Sequence, residues 1–219
     1  MQAIIRNKLF EMITTQNLQF SYNSKQNFSF PDLKCESGNT LLITGSSGKG
    51  KTTLLHLLGG LLTPTSGNIQ IDETEISKLS LSKLDAFRGK NIGMVLQKSY
   101  FVEALSVLDN VILASWLATG KKAKEKAIQL LTQLDLENQM HKLPAQLSIG
   151  QQQRVNIARA LINNPKVILA DEPTSSLDDE NAQIVAELLS NLASEHKAAL
   201  IIVTHDQRLK SKFTNAINL

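Results

Sequence analysis

The 219-residue sequence predicts an α/β fold, with a helix-covered parallel sheet, a small antiparallel β part before it and a helical insertion within it. Three short and continuous apolar runs, Leu41–Thr44, Val167–Ala170 and Leu200–Val203, are typical of strands that are buried on both faces of a parallel sheet. Helical patterns separate these runs along the chain, which is the element order expected of an α/β protein.

The first elements of the chain are predicted to be short strands. Leu18, Phe20 and Tyr22 alternate with polar neighbours, as in a strand with one buried face. The alternation returns at 28–30 and again at 68–71. These short alternating segments predict a small antiparallel sheet.

The sequence predicts four helices, two of which lie within one helix-rich region. A helix is predicted from Lys51 to Leu62, and the region from about 99 to 162 is rich in helical patterns. Another helix is predicted to begin at Asp178, with apolar side chains directed inward. Within the helix-rich region we expect helices at Lys124–Leu136 and Gln151–Ile162, and the inward residues after Asp178 are Ile184, Val185, Leu188, Leu189 and Leu192.

We expect one domain, from residue 12 to residue 219, after a peripheral leader at 1–11. Its core comprises 12–97 and 163–219, and 98–162 forms the helical subdomain. No apolar run approaches the roughly 18 residues of a membrane-spanning helix, and no signal peptide is recognisable. The single cysteine, Cys35, excludes an internal disulfide and favours a reducing compartment. A net charge of +3 is too weak to indicate a nucleic-acid-binding protein.

A phosphate-binding loop is the clearest chemical motif. The run Gly45-Ser46-Ser47-Gly48-Lys49-Gly50-Lys51-Thr52 fits the pattern G-x-x-x-x-G-K-[ST] and lies between a predicted strand and a predicted helix. In such a loop, glycines let backbone N–H groups point at phosphate oxygens, and the helix N-terminus adds a positive dipole. Lys51 would reach the β- and γ-phosphates of a nucleotide, and the Thr52 hydroxyl would bind Mg²⁺.

Two carboxylates follow the second buried strand. Asp171 and Glu172 come directly after Val167–Ala170, at the sheet edge where the phosphate loop is also predicted. An aspartate at this place holds Mg²⁺ in P-loop enzymes, usually through water. The neighbouring Glu172 can polarise the water that attacks the γ-phosphate. The pair alone fits an exposed acidic loop equally well, but the phosphate loop in the same chain favours a nucleotide site.

Further motifs resemble those of ATP-binding cassette (ABC) ATPases, in the order found in that family. The signature segment, Leu147–Arg154 (LSIGQQQR), resembles the signature motif of that family. The segment Asp171–Thr174 resembles the Walker B motif, and Ser175–Asp178 resembles the D-loop that follows it. Thr204–Asp206 resembles the switch-histidine loop, here the histidine loop, and Gln97 resembles the Q-loop glutamine. The resemblance covers the chain from about residue 12 to its end and implies a P-loop NTPase (RecA-like) core.

The resemblance also implies roles for individual residues around ATP and Mg²⁺. Glu172 and His205 are the expected catalytic residues, with His205 holding the γ-phosphate and orienting Glu172 and the attacking water. Tyr22 is expected to stack on adenine, although a core position in the small sheet is the alternative. The expected Mg²⁺ ligands are Thr52, Gln97 and Asp171, and Thr53 is expected beside the phosphates. The residues expected to reach the ATP of a second copy, in a head-to-tail sandwich dimer, are Ser148, Gly150, Gln151 and Asp178.

Two residues depart from the family pattern. Ile149 replaces the second glycine of the signature, and a β-branched residue does not readily take a positive φ, so an ordinary backbone conformation is expected there. Lys49 stands where a small residue is usual in the phosphate loop. Its side chain either points into solvent or adds positive charge beside the nucleotide.

Four segments resemble the branch that serves lipoprotein release, macrolide export and cell division (the Lol, MacB and FtsE type). These segments are Leu61–Gly67, Phe87–Arg88, Ile92–Gly93 and Leu105–Val111. This branch implies integral membrane permease partners and a place on the cytoplasmic face of the inner membrane. An apolar stripe on the helical subdomain, formed by Phe101, Leu105, Leu108 and Val111, either lines the groove for the permease or packs in the core.

The alternative function is a non-transport ABC-type ATPase that acts on nucleic acid or ribosomes.

Overall fold

The computed structural model describes residues 11–23, 26–210 and 212–219. The predicted leader at 1–11 lies outside these residues, except for Glu11, which begins the first strand. The strands are β1 (Glu11–Asn23), β2 (Gln26–Ser29), β3 (Lys34–Glu36), β4 (Thr40–Thr44), β5 (Ser66–Ile71), β6 (Thr74–Glu75), β7 (Ile92–Val95), β8 (Val167–Asp171), β9 (Ala199–Val203) and β10 (Ala216–Asn218). The α-helices are α1 (Lys51–Leu58), α2 (Leu81–Asn91), α3 (Val107–Thr119), α4 (Lys124–Gln133), α5 (Ile149–Leu161), α6 (Asp179–Glu195) and α7 (Gln207–Lys210).

The strands form two sheets, which confirms the predicted α/β fold. One sheet is antiparallel, with the order β2-β1-β5-β6, and β3 also pairs with β1. The other sheet has the order β10-β4-β9-β8-β7, and all four of its pairings are parallel. The three apolar runs of the sequence are its central strands β4, β8 and β9.

The parallel sheet is buried on both faces because successive side chains point to opposite sides. Leu42, Ile168 and Ile202 face the helical side, where they join the apolar residues of α3 to α6. Leu41 and Ile201, one residue away in their strands, face α1 and the antiparallel sheet. The continuous apolar runs follow from this two-sided burial.

Four local predictions differ from the structure. Helix α4 ends at Gln133 rather than Leu136, although Leu136 is still buried in the core. Helix α1 ends at Leu58 rather than Leu62, since Gly59 caps it and Gly60 has a φ of +64°. Helix α5 begins at Ile149 rather than Gln151 because the Ser148 side chain caps it. Ile184 was expected inward, but it is 39% exposed, and Val185, Leu189 and Leu192 form the buried stripe of α6.

The topology positions the candidate site at one edge of the parallel sheet. Strands β4, β7, β8 and β9 run in the same direction, so their carboxyl ends meet there. The phosphate loop, Gln97, the acidic pair and the histidine loop each follow one of these ends. Within the described residues, no helix has the length and apolar character needed to cross a membrane.

Candidate functional site

The phosphate loop joins β4 to α1 and wraps around the first turn of the helix. Gly50, the residue before α1, has a φ of +87°, a conformation that side chains with a Cβ rarely adopt. A Cβ at this position would lie 2.6 Å from the Phe28 ring, so the close approach of β2 also requires glycine. No acidic residue occupies the first turn of α1, which leaves its positive end unopposed.

Lys51 is held over this loop by main-chain oxygens. Its Nζ donates to the carbonyl oxygens of Gly45 at 2.9 Å and Ser46 at 3.1 Å. The ammonium therefore faces the cleft in front of the loop and carries no carboxylate partner among the described salt bridges. A phosphate group in the cleft would find this charge already directed toward it.

One open cleft of about 530 Å³ collects most of the predicted residues from separate parts of the chain. It brings together the end of β1, the phosphate loop and the segments after β7, β8 and β9. The predicted residues that line it are Tyr22, Ser47, Gly48, Gly50, Lys51, Thr52, Thr53, Gln97, Asp171, Glu172 and His205. Sequence reasoning missed two lining residues, Gln26 and Phe28.

Asp171 ends β8 beneath the phosphate loop and is 9% exposed. Burial raises the pKa of its carboxyl, and the neighbouring charge of Glu172 adds to the rise. A side-chain hydrogen bond with Thr52 and the charges of His56 and Lys51 act in the opposite direction. The atom Oδ1 is buried and has no hydrogen-bond partner within the described part of the chain. This carboxylate is therefore arranged to gain from a cation.

Glu172 is held by the histidine loop. Its Oε2 accepts a hydrogen bond from the Thr204 hydroxyl at 2.7 Å, and its Oε1 accepts one from the His205 backbone N–H at 3.1 Å. The His205 ring nitrogen Nδ1 lies 2.6 Å from the same Oε1. The Glu172 backbone has a φ of +47°, which is unusual for a residue with a side chain. The Glu172 side chain is 12% exposed and that of His205 is 68% exposed, so the imidazole is the outer member of the pair.

Tyr22 lies on the rim of the cleft. Its hydroxyl is 3.2 Å from the Thr53 hydroxyl, and its side chain is 51% exposed. The ring makes edge-to-face contacts with Phe20 at 4.7 Å and with Phe28 at 6.3 Å between centroids. Tyr22 is thus not a core residue of the antiparallel sheet, unlike buried Phe20. Alternation could not single out Phe28, because it predicts a strand face but not the cleft beside that face.

Gln97 connects the end of β7 to the segment after β8. Its Nε2 donates to the Ser175 hydroxyl at 3.2 Å, and that hydroxyl donates to the Glu172 carbonyl oxygen at 3.1 Å. The side chain of Gln97 therefore stands beside both carboxylate-bearing residues of the cleft. The sequence placed Ser175 in the D-loop without assigning this contact.

The signature segment and Asp178 lie outside this cleft. The Ser148 hydroxyl accepts a hydrogen bond from the Gln151 backbone N–H, and the Gln151 side chain accepts one from the Ser148 backbone. The Asp178 side chain caps α6 by accepting from Asn181 N–H at 2.9 Å, which lowers the pKa of Asp178. A Cβ at Gly150 would lie 3.8 Å from the Asn181 side chain, so the two helix starts are neighbours.

The two departures from the pattern have ordinary structural places. Ile149 is the first residue of α5, with a side chain that is 61% exposed, and is not among the described residues with positive φ. Lys49 is exposed at the tip of the phosphate loop and does not line the cleft. The solvent-facing alternative for Lys49 therefore agrees with the structure.

Comparisons with known proteins give a consistent picture. The family model described as ABC transporter matches residues 29–175. The chain is 40% identical over 193 residues to the lipoprotein-releasing system ATP-binding protein LolD of Syntrophotalea carbinolica, covering 87% of this chain and 85% of the relative. It is also 40% identical to LolD of Bacteroides thetaiotaomicron, covering 90% of this chain and 92% of the relative.

A solved structure shows the same architecture. It is described as a dimeric post-hydrolysis state of the ATP-binding cassette MJ0796 bound to ADP and Pi. Its TM-score is 0.83 and its sequence identity 33%, and the match covers 95% of this chain and 94% of that one. A second dimeric structure of MJ0796, described as a bacterial ABC transporter cassette, matches with the same TM-score at 34% identity.

Proposed function

This chain belongs to the ABC transporter family, and on that premise we propose that it is the MgATP-hydrolysing subunit that drives a membrane-embedded permease of the lipoprotein-release type. The observation that carries the catalytic part is the position of Glu172. Its carboxylate lines the same cleft as Lys51 and is held there by Thr204 and His205. ATP bound with its phosphates at the loop would present the γ-phosphate to this carboxylate.

Glu172 is the proposed general base for the attacking water. A base needs a fixed position, and hydrogen bonds from the Thr204 hydroxyl and the His205 backbone N–H hold the Glu172 carboxylate in place. His205 is mostly exposed at its outer edge, so it can contact both Glu172 and a phosphate oxygen. Lys51 and the backbone N–H groups of the loop would stabilise the charge that develops on the transferred phosphoryl group.

The residues of the cleft fit a magnesium ion. Asp171 offers a buried oxygen without a hydrogen-bond partner in the described chain, and the Thr52 hydroxyl lies beside the same carboxylate. Oxygen donors of this kind are what Mg²⁺ prefers, and Gln97 would add a third from the end of β7. When bound, the ion neutralises phosphate charge and polarises the phosphoryl group.

The active form is proposed to be a head-to-tail dimer of the chain. Ser148, Gly150, Gln151 and Asp178 lie outside the chain's own cleft, at the adjacent starts of α5 and α6. In a second copy, these polar groups and the positive end of α5 would complete the γ-phosphate site. The solved relative is described as a dimer with ADP and Pi, which supports this arrangement.

The transport part is supported by the relatives. Several of them, at 40 to 45% identity, are named ATP-binding proteins of a lipoprotein-releasing system. We place the chain at the cytoplasmic face of the inner membrane, bound to integral permease subunits. In the predicted stripe, Leu108 and Val111 belong to the buried core, and only Phe101 and Leu105 are partly exposed.

A reconstituted transporter tests this proposal. The chain, co-purified with its membrane partner, is placed in proteoliposomes that contain a lipid-anchored protein, and MgATP-dependent release to a soluble acceptor is measured. Release should be lost with Glu172→Gln, which serves as the matched control. No release together with strong DNA or RNA stimulation of ATPase activity, falling steeply with salt, would instead support the non-transport alternative.

A further inference from the structure

Arg208 in α7 contacts three separate segments with one guanidinium group. Its Nε lies 2.9 and 3.0 Å from the two carboxylate oxygens of Asp206, and its Nη2 lies 2.7 Å from Oδ2. Its Nη1 donates to Asp179 at 2.6 Å, in the first turn of α6. The carbonyl oxygens of Leu177 and Thr174 lie 3.4 Å from Nη1 and Nη2. The group thus joins the histidine loop to both sides of the D-loop.

The contacts continue from Asp206 to the proposed base. Asp206 Oδ2 accepts a hydrogen bond from the Thr174 hydroxyl at 2.9 Å. The Asp206 backbone N–H donates to the Thr204 hydroxyl at 2.9 Å, and that hydroxyl donates to Glu172 Oε2 at 2.7 Å. A displacement of Asp206 would therefore reach Glu172 through the Thr204 side chain and through the adjacent His205.

We propose that Arg208 is a positioning residue for ATP hydrolysis, which fixes the histidine loop against the D-loop so that Glu172 and His205 stay aligned. Arg208 is not among the residues that line the cleft, so it would act on the reaction through other residues. This inference rests on the ATPase activity in the proposed function and is independent of transport.

The hydrogen bonds between Arg208 and Asp206 should account for most of the effect of Arg208 on ATP hydrolysis. The Asp206 side chain is 9% exposed, and charge-assisted hydrogen bonds to a planar guanidinium are strong and directional there. The same hydrogen bonds hold the pKa of Asp206 at about 2, so both partners are charged at neutral pH. Asp179 is 92% exposed, and exposed ion pairs contribute little. Lysine would keep the charge at position 208, but it has no planar fork to bridge Asp206 and the carbonyl oxygens of Thr174 and Leu177.

The alternative is that Arg208 only stabilises the local fold. A matched control is the pair between Lys212 and Glu187, whose Nζ and Oε1 lie 2.6 Å apart. It also ties a residue beyond α7 to α6, but none of its described hydrogen bonds reaches the D-loop or the histidine loop. Removing this pair tests what the loss of an ion pair at α6 does by itself.

The experiment compares Arg208→Gln, Arg208→Lys and Lys212→Gln with the parent in the purified chain, measuring kcat, KM for MgATP and Tm. We expect Arg208→Gln to lower kcat about tenfold, which is the rate effect of about 1.4 kcal/mol, with KM changed less than about threefold. Arg208→Lys should recover Tm but not the full kcat. Lys212→Gln should keep kcat within about twofold of the parent.

An Arg208→Gln variant with the kcat of Lys212→Gln would overturn the proposal. If Arg208→Gln does not fold, Arg208→Lys decides: low kcat at a near-parental Tm supports the positioning role, and a parental kcat overturns it. An inactive parent would overturn the ATPase assignment and this inference together. An active parent with an equally active Arg208→Gln would overturn this inference alone.

Discussion

Replacing Thr204 by valine removes one hydroxyl and leaves the shape of the side chain nearly unchanged. This hydroxyl is fully buried, donates to Glu172 Oε2 at 2.7 Å and accepts from the Asp206 backbone N–H at 2.9 Å. The substitution therefore leaves a largely buried carboxylate oxygen and a backbone donor without this partner. Since a hydrogen bond to a charged group contributes about 1.5–3 kcal/mol, we expect the free energy of unfolding to fall by about 2–3 kcal/mol.

For a domain of this size, that loss corresponds to a Tm lowered by about 4–12 °C. Glu172 keeps its contacts with His205 but can rotate, so kcat should fall about tenfold. Calorimetry and a steady-state ATPase assay measure the two effects, with Thr204→Ser as the control that keeps the hydroxyl. A Thr204→Val variant with parental kcat would refute the claim that this hydroxyl orients Glu172, even if Tm fell.

Three further outcomes follow from the same contacts. Lys51→Ala should weaken MgATP binding about tenfold or more in titration calorimetry, because the ammonium held over the loop by carbonyls is the charge that faces the phosphates. Normal binding together with normal turnover would contradict the phosphate-loop assignment. Ser148→Arg should spare ATP binding to the monomer but block ATP-driven dimerisation, and an unchanged dimer fraction in light scattering would contradict the sandwich dimer. The pKa of Asp206 is lowered from 3.8 to about 2, so its contribution to stability is complete above pH 4 and is lost as the pH falls toward 2. When the free energy of unfolding is measured against pH, Arg208→Gln should abolish the part of the pH dependence that comes from Asp206. Identical curves for the parent and the variant would contradict this assignment.

The parts of the molecule that were predictable from sequence are those with local causes. The apolar runs of β4, β8 and β9 are continuous because the sheet is buried on both faces, and the phosphate loop is recognised from eight consecutive residues, Gly45 to Thr52. The end of α1 was misplaced because the apolar pattern continues through Leu61 and Leu62, although Gly59 and Gly60 terminate the helix.

The rest depends on contacts between residues that are distant in sequence. Gln97 meets Ser175 across 78 positions, and Thr204 meets Glu172 across 32. Phe28 reaches the cleft only because β2 pairs with β1 beside the phosphate loop. The exposure of Ile184 likewise follows from how α6 rotates against the core. Periodicity carries no information on such pairings, and the family motifs implied only that His205 orients Glu172. The contact between Thr204 and Glu172 and the role of Arg208 required the three-dimensional arrangement.

The steady-state ATPase activity of Glu172→Gln, measured together with the amount of nucleotide bound, is the most direct test of Glu172 as the general base. Glutamine can still accept from His205 N–H and turn its amide toward the Thr204 hydroxyl, so the fold and ATP binding should survive. It cannot take a proton from water, and general-base catalysis contributes roughly 10²–10⁴-fold. We expect turnover to fall by about this factor, with ATP retained in a stable dimer. Turnover within a few-fold of the parent would show that Glu172 is not the base.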